Sequence, residues 1–187
     1  MIQLPLTVKV LNGYGLLRVS TIRGSTMEKE LTEVYCGNGR GKSTLAIGQS
    51  IRAAVQGKSV IIVQFLKGKE RREMDFLEDL ENMDIKIFRF EKMENCYDDL
   101  TEEEKEEEKL NIQNAWNFAR KVIVTQECDF LLLDEILALP ELGIVSAETI
   151  AEVLHQKDES MHIVMTGREI PPGLRGHVDS VIRLTAE

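Results

Sequence analysis

Residues 36–44 read Cys-Gly-Asn-Gly-Arg-Gly-Lys-Ser-Thr and directly follow the strand-like run Leu31–Tyr35. Glycines at 37, 39 and 41 let the backbone curl until successive N–H groups point inward as an anion-binding nest. Lys42 adds a positive charge on a long reach, and the Ser43 hydroxyl is a hard oxygen of the kind that ligates magnesium between phosphates. Leu45, Ala46, Ile47, Ile51, Ala54 and Val55 follow at helical spacing, so the loop closes on a helix N-terminus whose dipole favours negative charge. Strand, glycine-rich loop, Gly-Lys-Ser and helix together point to a bound triphosphate.

The loop also departs from the usual pattern. G-x-x-x-x-G-K-[ST] puts its first glycine at position 36, where Cys36 stands, so Gly37 makes a loop one residue shorter. This is either a tolerated variant of an ordinary ATPase loop or a loop shaped for a nucleotide in an unusual pose, and the loop alone does not choose. A second signal is Phe130-Leu-Leu-Leu-Asp134-Glu135. An apolar strand ending in two acids delivers carboxylates to the sheet edge where the phosphate loop lies, within reach of a magnesium ion opposite Ser43. Thr166-Gly167-Arg168, after another apolar strand, puts a guanidinium suited to bidentate phosphate contact on the same edge.

Proton-handling groups are sparse. His155, His162 and His177 stand beside no serine nucleophile and no metal-like partner, and are expected to be structural or exposed. No general base presents itself beyond Glu135. Such a set suits chemistry in which phosphate leaves and the attacking group needs no deprotonation.

The elements that position these residues alternate short apolar strands with helices. Strands are expected over 31–36, 59–65, 85–90, 130–133, 161–165 and 178–184. Helices are expected from Lys42 to about Gln56, around Met74–Leu80, from Thr101 onward, and after Glu135. Near-continuous apolar strands in β–α alternation predict an α/β fold, a mostly parallel sheet flanked by helices. Thr101 and Glu104 are spaced as a capping box. Glu102–Glu108 is expected to be a solvated helix start, with Leu110, Ala115, Trp116, Ala119 and Ile123 as the buried stripe.

At 187 residues with a net charge of −9, the chain is the size of one domain and is poorly suited to broad nucleic-acid binding. No apolar run approaches the roughly 18–20 residues of a membrane span. Cys36, Cys96 and Cys128 show no Cys-x-x-Cys spacing, which predicts reduced thiols in a cytoplasmic protein. Residues 1–26 carry Lys9, Arg18 and Arg23 but no acid. With Asn12-Gly13 as a hairpin turn, they are expected to be an extension without function ahead of a single domain over 27–187.

Tyr-Cys-Gly-Asn-Gly-Arg-Gly-Lys-Ser-Thr (35–44), Val-Gln-Phe-Leu-Lys-Gly (63–68), Leu-Leu-Asp-Glu (132–135) and Thr-Gly-Arg (166–168) resemble the ATP:corrinoid adenosyltransferases of the bacterial cob(I)alamin/cob(I)yrinic acid a,c-diamide type. Arg-Glu-Ile-Pro-Pro-Gly-Leu (168–174) and His-Val-Asp-Ser-Val (177–181) are similar to that family's ending. The resemblance implies a RecA-like P-loop fold, usually a homodimer, that moves the 5′-deoxyadenosyl group of ATP to cobalt(I) of a corrinoid and releases triphosphate. It also implies a reversed triphosphate pose, which gives the short loop a rationale. Carried over by residue, Gly37, Asn38, Gly39, Arg40, Gly41, Lys42, Ser43 and Thr44 hold triphosphate. Ser43, Asp134 and Glu135 attend Mg2+, Arg168 binds nucleotide, and Gln64 and Lys67 lie beside the ATP or corrinoid site. Lys42 and Glu135 are the catalytic pair. Tyr97, with Asn95 at a position where the family has an aromatic residue, falls where the corrinoid's lower base is displaced. A flavoprotein electron donor is a further expected partner. The chain stops at Glu187, ahead of the His-Pro-Phe-Asp segment the family commonly carries.

Two other classes fit the residues. An ordinary P-loop ATPase or small-molecule kinase would cleave at the γ-phosphate, and a non-catalytic module would bind ATP or corrinoid without turnover. Product analysis separates them: triphosphate with an adenosylated corrinoid against ADP, or neither.

Overall fold

The computed structural model describes residues 8–12, 15–19, 31–68, 75–77 and 79–185. Strands β1 (Val8–Asn12) and β2 (Gly15–Val19) pair antiparallel with Asn12 opposite Gly15, as a sheet of their own, while the expected turn's Gly13 lies outside the described residues. Residues 1–7 and 20–30, which include Met27, lie outside the described residues.

The main sheet comprises β3 (Thr32–Cys36), β4 (Val60–Gln64), β5 (Ile85–Arg89), β6 (Phe130–Asp134), β7 (His162–Thr166) and β8 (Ser180–Arg183) in the order β5-β4-β6-β7-β3-β8. Every pair in it is parallel. The expected α/β P-loop sheet is therefore present, with β7 between the loop-bearing β3 and the acid-bearing β6. The helices are α1 (Lys42–Val55), α2 (Glu102–Thr125) and α3 (Ala147–Leu154). Where a short helix is expected around Met74–Leu80, the described residues hold only a 3-10 turn over Asp75–Leu77, with 74 and 78 outside them.

Alternation along the strands divides the core. Tyr35, Ile62, Leu132 and Val164 face Ala46, Ala53 and Ala54 of α1. Val34, Val63, Leu133 and Met165 face the other way, toward Ile112, Trp116 and Ile123 of α2 and Ile150 and Leu154 of α3. Burial on both faces is why these strands read as apolar runs.

Helix α2 opens with the capping box its sequence predicts: Thr101 accepts from the Glu104 amide and Glu104 reaches back to the Thr101 amide. Two expectations for α2 fail. Leu110 is 71% exposed, and Glu108 is 1% exposed instead of solvated. The buried stripe runs through Glu108, Ile112, Ala115, Trp116, Ala119 and Ile123, and Leu110 lies about 200° around the helix from both Glu108 and Ile112. The buried carboxylate is satisfied by the Lys92 amide at 2.8 Å and by Asn111 Nδ2 at 2.8 Å.

Candidate functional site

The loop between β3 and α1 is held from both sides. The Gly37 amide donates to the Arg168 carbonyl at 2.7 Å and the Gly39 amide to the Leu184 carbonyl at 3.0 Å. These two amides face neighbouring chain, which corrects the expectation that successive N–H groups all turn inward. Gly37 has no substitute: its φ is +113°, and a Cβ there would sit 2.1 Å from the Leu184 carbonyl oxygen. The end of β8 thus serves as a backstop for the loop. Lys42 Nζ arches over the loop and donates to the Gly37 and Gly39 carbonyls at 2.8 and 3.0 Å. Gly41, at φ +101°, is the residue from which α1 starts, and no side chain caps that end. Thr44 and Gly41 open onto a groove of about 490 Å³ along α1, which Leu45, Gly48, Gln49 and Arg52 continue. Arg40 is exposed beside them, and Asn38 lies within the same loop.

Asp134 is the hub. It is fully buried, and its Oδ1 accepts from Ser43 Oγ at 2.7 Å and from Thr166 Oγ1 at 2.7 Å. Gln64 Nε2 approaches Oδ2 at 3.5 Å, and Arg89 Nε donates to Gln64 Oε1 at 2.6 Å. Gln64 is in register with Arg89 on one side and Asp134 on the other. The sheet's C-terminal edge therefore carries one polar row, Arg89–Gln64–Asp134, that ends on Ser43 of the loop. Arg89 of this row was not singled out from sequence, and Thr166, which meets Asp134 from β7, was given no role of its own. Thr166 sits in the Thr-Gly-Arg motif, and its pairing with Asp134 follows from β6 and β7 being neighbours.

Glu135 stands immediately past the strand in the left-handed region, φ 65°, with its amide on Thr166 Oγ1 at 2.8 Å. A non-glycine residue held there is strained and needs its surroundings to hold it. Lys67 Nζ lies 3.9 Å from Glu135 Oε1. Arg168, 82% exposed along its side chain, reaches Asp98 Oδ2 at 3.1 Å, so it bridges from the end of β7 toward the segment after β5. Asp98, too, was not legible as a partner. Tyr97 is buried in the core, its amide 3.5 Å from the Leu66 carbonyl, and burial raises its phenol above the usual range.

Ser43, Asp134 and Glu135 thus converge, as do Gln64 and Lys67 beside them, while Arg168 stands exposed at the rim and Tyr97 packs into the core behind it. The histidines stand apart: His155 pairs with His177 at 2.8 Å and His162 with Glu33 at 2.9 Å. Cys36 and Cys128 are buried, and burial pushes the Cys128 thiol up to about 12.

A magnesium ion fits the donor chemistry. Ser43, Asp134 and Glu135 offer only hard oxygens, and magnesium bound to phosphates takes one or two protein oxygens and completes its shell from substrate and water. Among the described residues no helix is long and apolar enough to cross a membrane.

A family model described as ATP:corrinoid adenosyltransferase BtuR/CobO/CobP matches residues 28–187. A corrinoid adenosyltransferase of Escherichia coli is 28% identical over 142 residues, covering 75% of this chain and 69% of that protein. One from Pseudomonas aeruginosa is 24% identical, covering 84% of this chain and 76% of its own length. One from Sinorhizobium sp is 29% identical, covering 85% and 73%.

Proposed function

The chain belongs to the ATP:corrinoid adenosyltransferase family, and from that premise we propose that it transfers the 5′-deoxyadenosyl group of ATP to cobalt(I) of a corrinoid, in the synthesis or salvage of adenosylcobalamin. The observation that carries the reading is the meeting of Ser43 and Asp134 at 2.7 Å, inside the matched span. In the transfer, the cobalt(I) electron pair forms the Co–C5′ bond while the C5′–O bond breaks and triphosphate departs with its electrons. The attacker carries no proton, so the protein's part is alignment and charge stabilisation.

In this reading the loop residues Gly37, Asn38, Gly39, Arg40, Gly41 and Thr44 hold the triphosphate, and Lys42 supplies positive charge to it as it leaves. Ser43, Asp134 and Glu135 are the residues that would hold Mg2+, which when bound adds charge to the same leaving group. Arg168 exchanges Asp98 for the nucleotide, and Gln64 keeps Asp134 oriented. Lys67 and Tyr97 border the corrinoid. Catalysis is assigned to residues 27–187 as one domain. A homodimer, a flavoprotein electron donor and a cytoplasmic setting come to this chain from the family resemblance alone.

The test is an anaerobic assay with ATP, magnesium and chemically reduced cobalamin, following loss of the cobalt(I) absorbance and analysing the phosphate product. Inorganic triphosphate and an adenosylated corrinoid are expected. ADP or orthophosphate formed without an alkylated corrinoid would reject the reading in favour of an ordinary P-loop ATPase or kinase.

A further inference from the structure

Leu66 follows β4 in the left-handed region, φ 62°, a strained state for a leucine. What holds it is a buried carboxylate from the next strand's end. The Leu66 amide donates to Glu91 Oε1 at 2.7 Å, and the other oxygen, Oε2, accepts from the Phe90 amide at 3.1 Å. Glu108 does the same one step further along, taking the Lys92 amide at 2.8 Å and the Met93 amide at 3.5 Å. The segment so gripped then wraps back over residues 66–68. The Tyr97 amide lies 3.5 Å from the Leu66 carbonyl, and a Cβ on Gly68 would sit 2.2 Å from the Glu94 carbonyl oxygen. Between Leu66 and Gly68 stands Lys67, aimed at Glu135.

Sheet order gives this frame a place in the reaction. The phosphate loop follows β3, whereas Leu66–Gly68 follows β4, three strand steps away across β7 and β6. The loop itself reaches across to β6, where Ser43 meets Asp134 at 2.7 Å, so the frame stands one strand step, roughly 4.8 Å, beyond that contact. On the reading above, this side of the cleft, away from the loop, is the part left for the second substrate.

Resting on the function proposed above, we infer that Glu91 is a positioning residue for the corrinoid: its carboxylate fixes the left-handed turn at Leu66 and, through it, the wall of Lys67 and the exposed backbone of residues 94–95 against which the corrinoid aligns. Glu91 touches neither substrate. It acts by choosing the backbone conformation that two substrate-facing segments share.

The experiment compares the full-length chain with Glu91→Ala and Glu91→Gln, measuring KM for cob(I)alamin and for ATP separately. Losing a hydrogen bond to a charged acceptor is expected to raise the cob(I)alamin KM of Glu91→Ala about tenfold, with the ATP KM held within about twofold. Glu91→Gln, whose carbonyl still accepts from Leu66, should recover to within about threefold. Equal shifts in both KM values, or an unchanged cob(I)alamin KM in a variant that still binds ATP, would overturn the inference. If Glu91→Ala does not fold, Glu91→Asp, whose shorter side chain draws the carboxylate back from the Leu66 amide, decides by the same split: a rise confined to cob(I)alamin supports the inference and its absence overturns it. A wild-type chain that does not turn over cob(I)alamin brings down the functional reading and this inference with it; wild-type turnover without the split brings down this inference alone.

Discussion

Glu91→Gln is expected to make the protein more stable at alkaline pH. Burial pushes the Glu91 carboxyl up from 4.5 to about 7, against the pull of the Leu66 and Phe90 amides and helped by the nearby Glu108 charge. Below pH 4.5 the group is protonated in both folded and unfolded chains. Between 4.5 and about 7 the unfolded chain ionises first, so the folded state loses ground as pH rises, and above 7 it bears the whole difference. Two and a half tenfold steps in proton affinity, at about 1.4 kcal/mol each, make about 3–4 kcal/mol. The variant's NH2 group meets the Phe90 amide head-on and gives back about 1 kcal/mol. The net expectation is no gain near pH 5 and a gain of about 2 kcal/mol at pH 8. Guanidinium unfolding followed by the fluorescence of Trp116, the single tryptophan and a buried one, measures both. Because other titrating groups are common to the two proteins, their difference isolates position 91. A difference that stays constant from pH 5 to 8, or that shifts toward the wild type as pH rises, would refute the reasoning.

Lys42→Ala should abolish ATP-dependent adenosylation, by about 100-fold or more in kcat, with thermal stability little changed; undiminished turnover rejects the loop as the triphosphate site. Gly68→Ala should cost about 2 kcal/mol, because its Cβ would press on the Glu94 backbone; that is a fall of about 4–8 °C in Tm by calorimetry, and an unchanged Tm would mean the wall at 94–97 is free to move. Asp98→Ala should leave stability within about 0.5 kcal/mol, since the Arg168 pair is exposed, and should tighten ATP binding by no more than about fivefold in calorimetric titration; weaker ATP binding would reject the exchange of Asp98 for nucleotide.

What the sequence made legible follows from which patterns are local. Parallel strands covered on both faces leave unbroken apolar runs such as Val60–Val63 and Phe130–Leu133; the loop glycines are fixed by spacing within one strand–turn–helix unit, and Asp134 by its place at the end of its own apolar strand. Glu108 was not legible because a run of seven residues with six acids reads as solvent-facing; the signal was the period running back from Trp116 through Ile112, which passes through 108. Leu110 misled for the converse reason, an apolar side chain on the outward face. Glu91, Arg89 and Asp98 depend on which strands become neighbours, and sheet order cannot be read from any one of them.

A carboxyl with a proton affinity near neutrality in a nucleotide cleft would ordinarily be taken for a general base. Geometry argues otherwise for Glu91. Its two oxygens are turned onto the main-chain amides of Leu66 and Phe90 at 2.7 and 3.1 Å, toward the backbone of its own turn. The reaction itself requires no such acceptor, because a cobalt(I) nucleophile has no proton to lose. The same logic runs along the rest of the edge: Asp134 holds Ser43 and Thr166, and Glu135 faces Lys67. Acids that in a hydrolase would move protons here hold backbone and side chains in place, at a cost in stability that the pH dependence of Glu91→Gln measures directly.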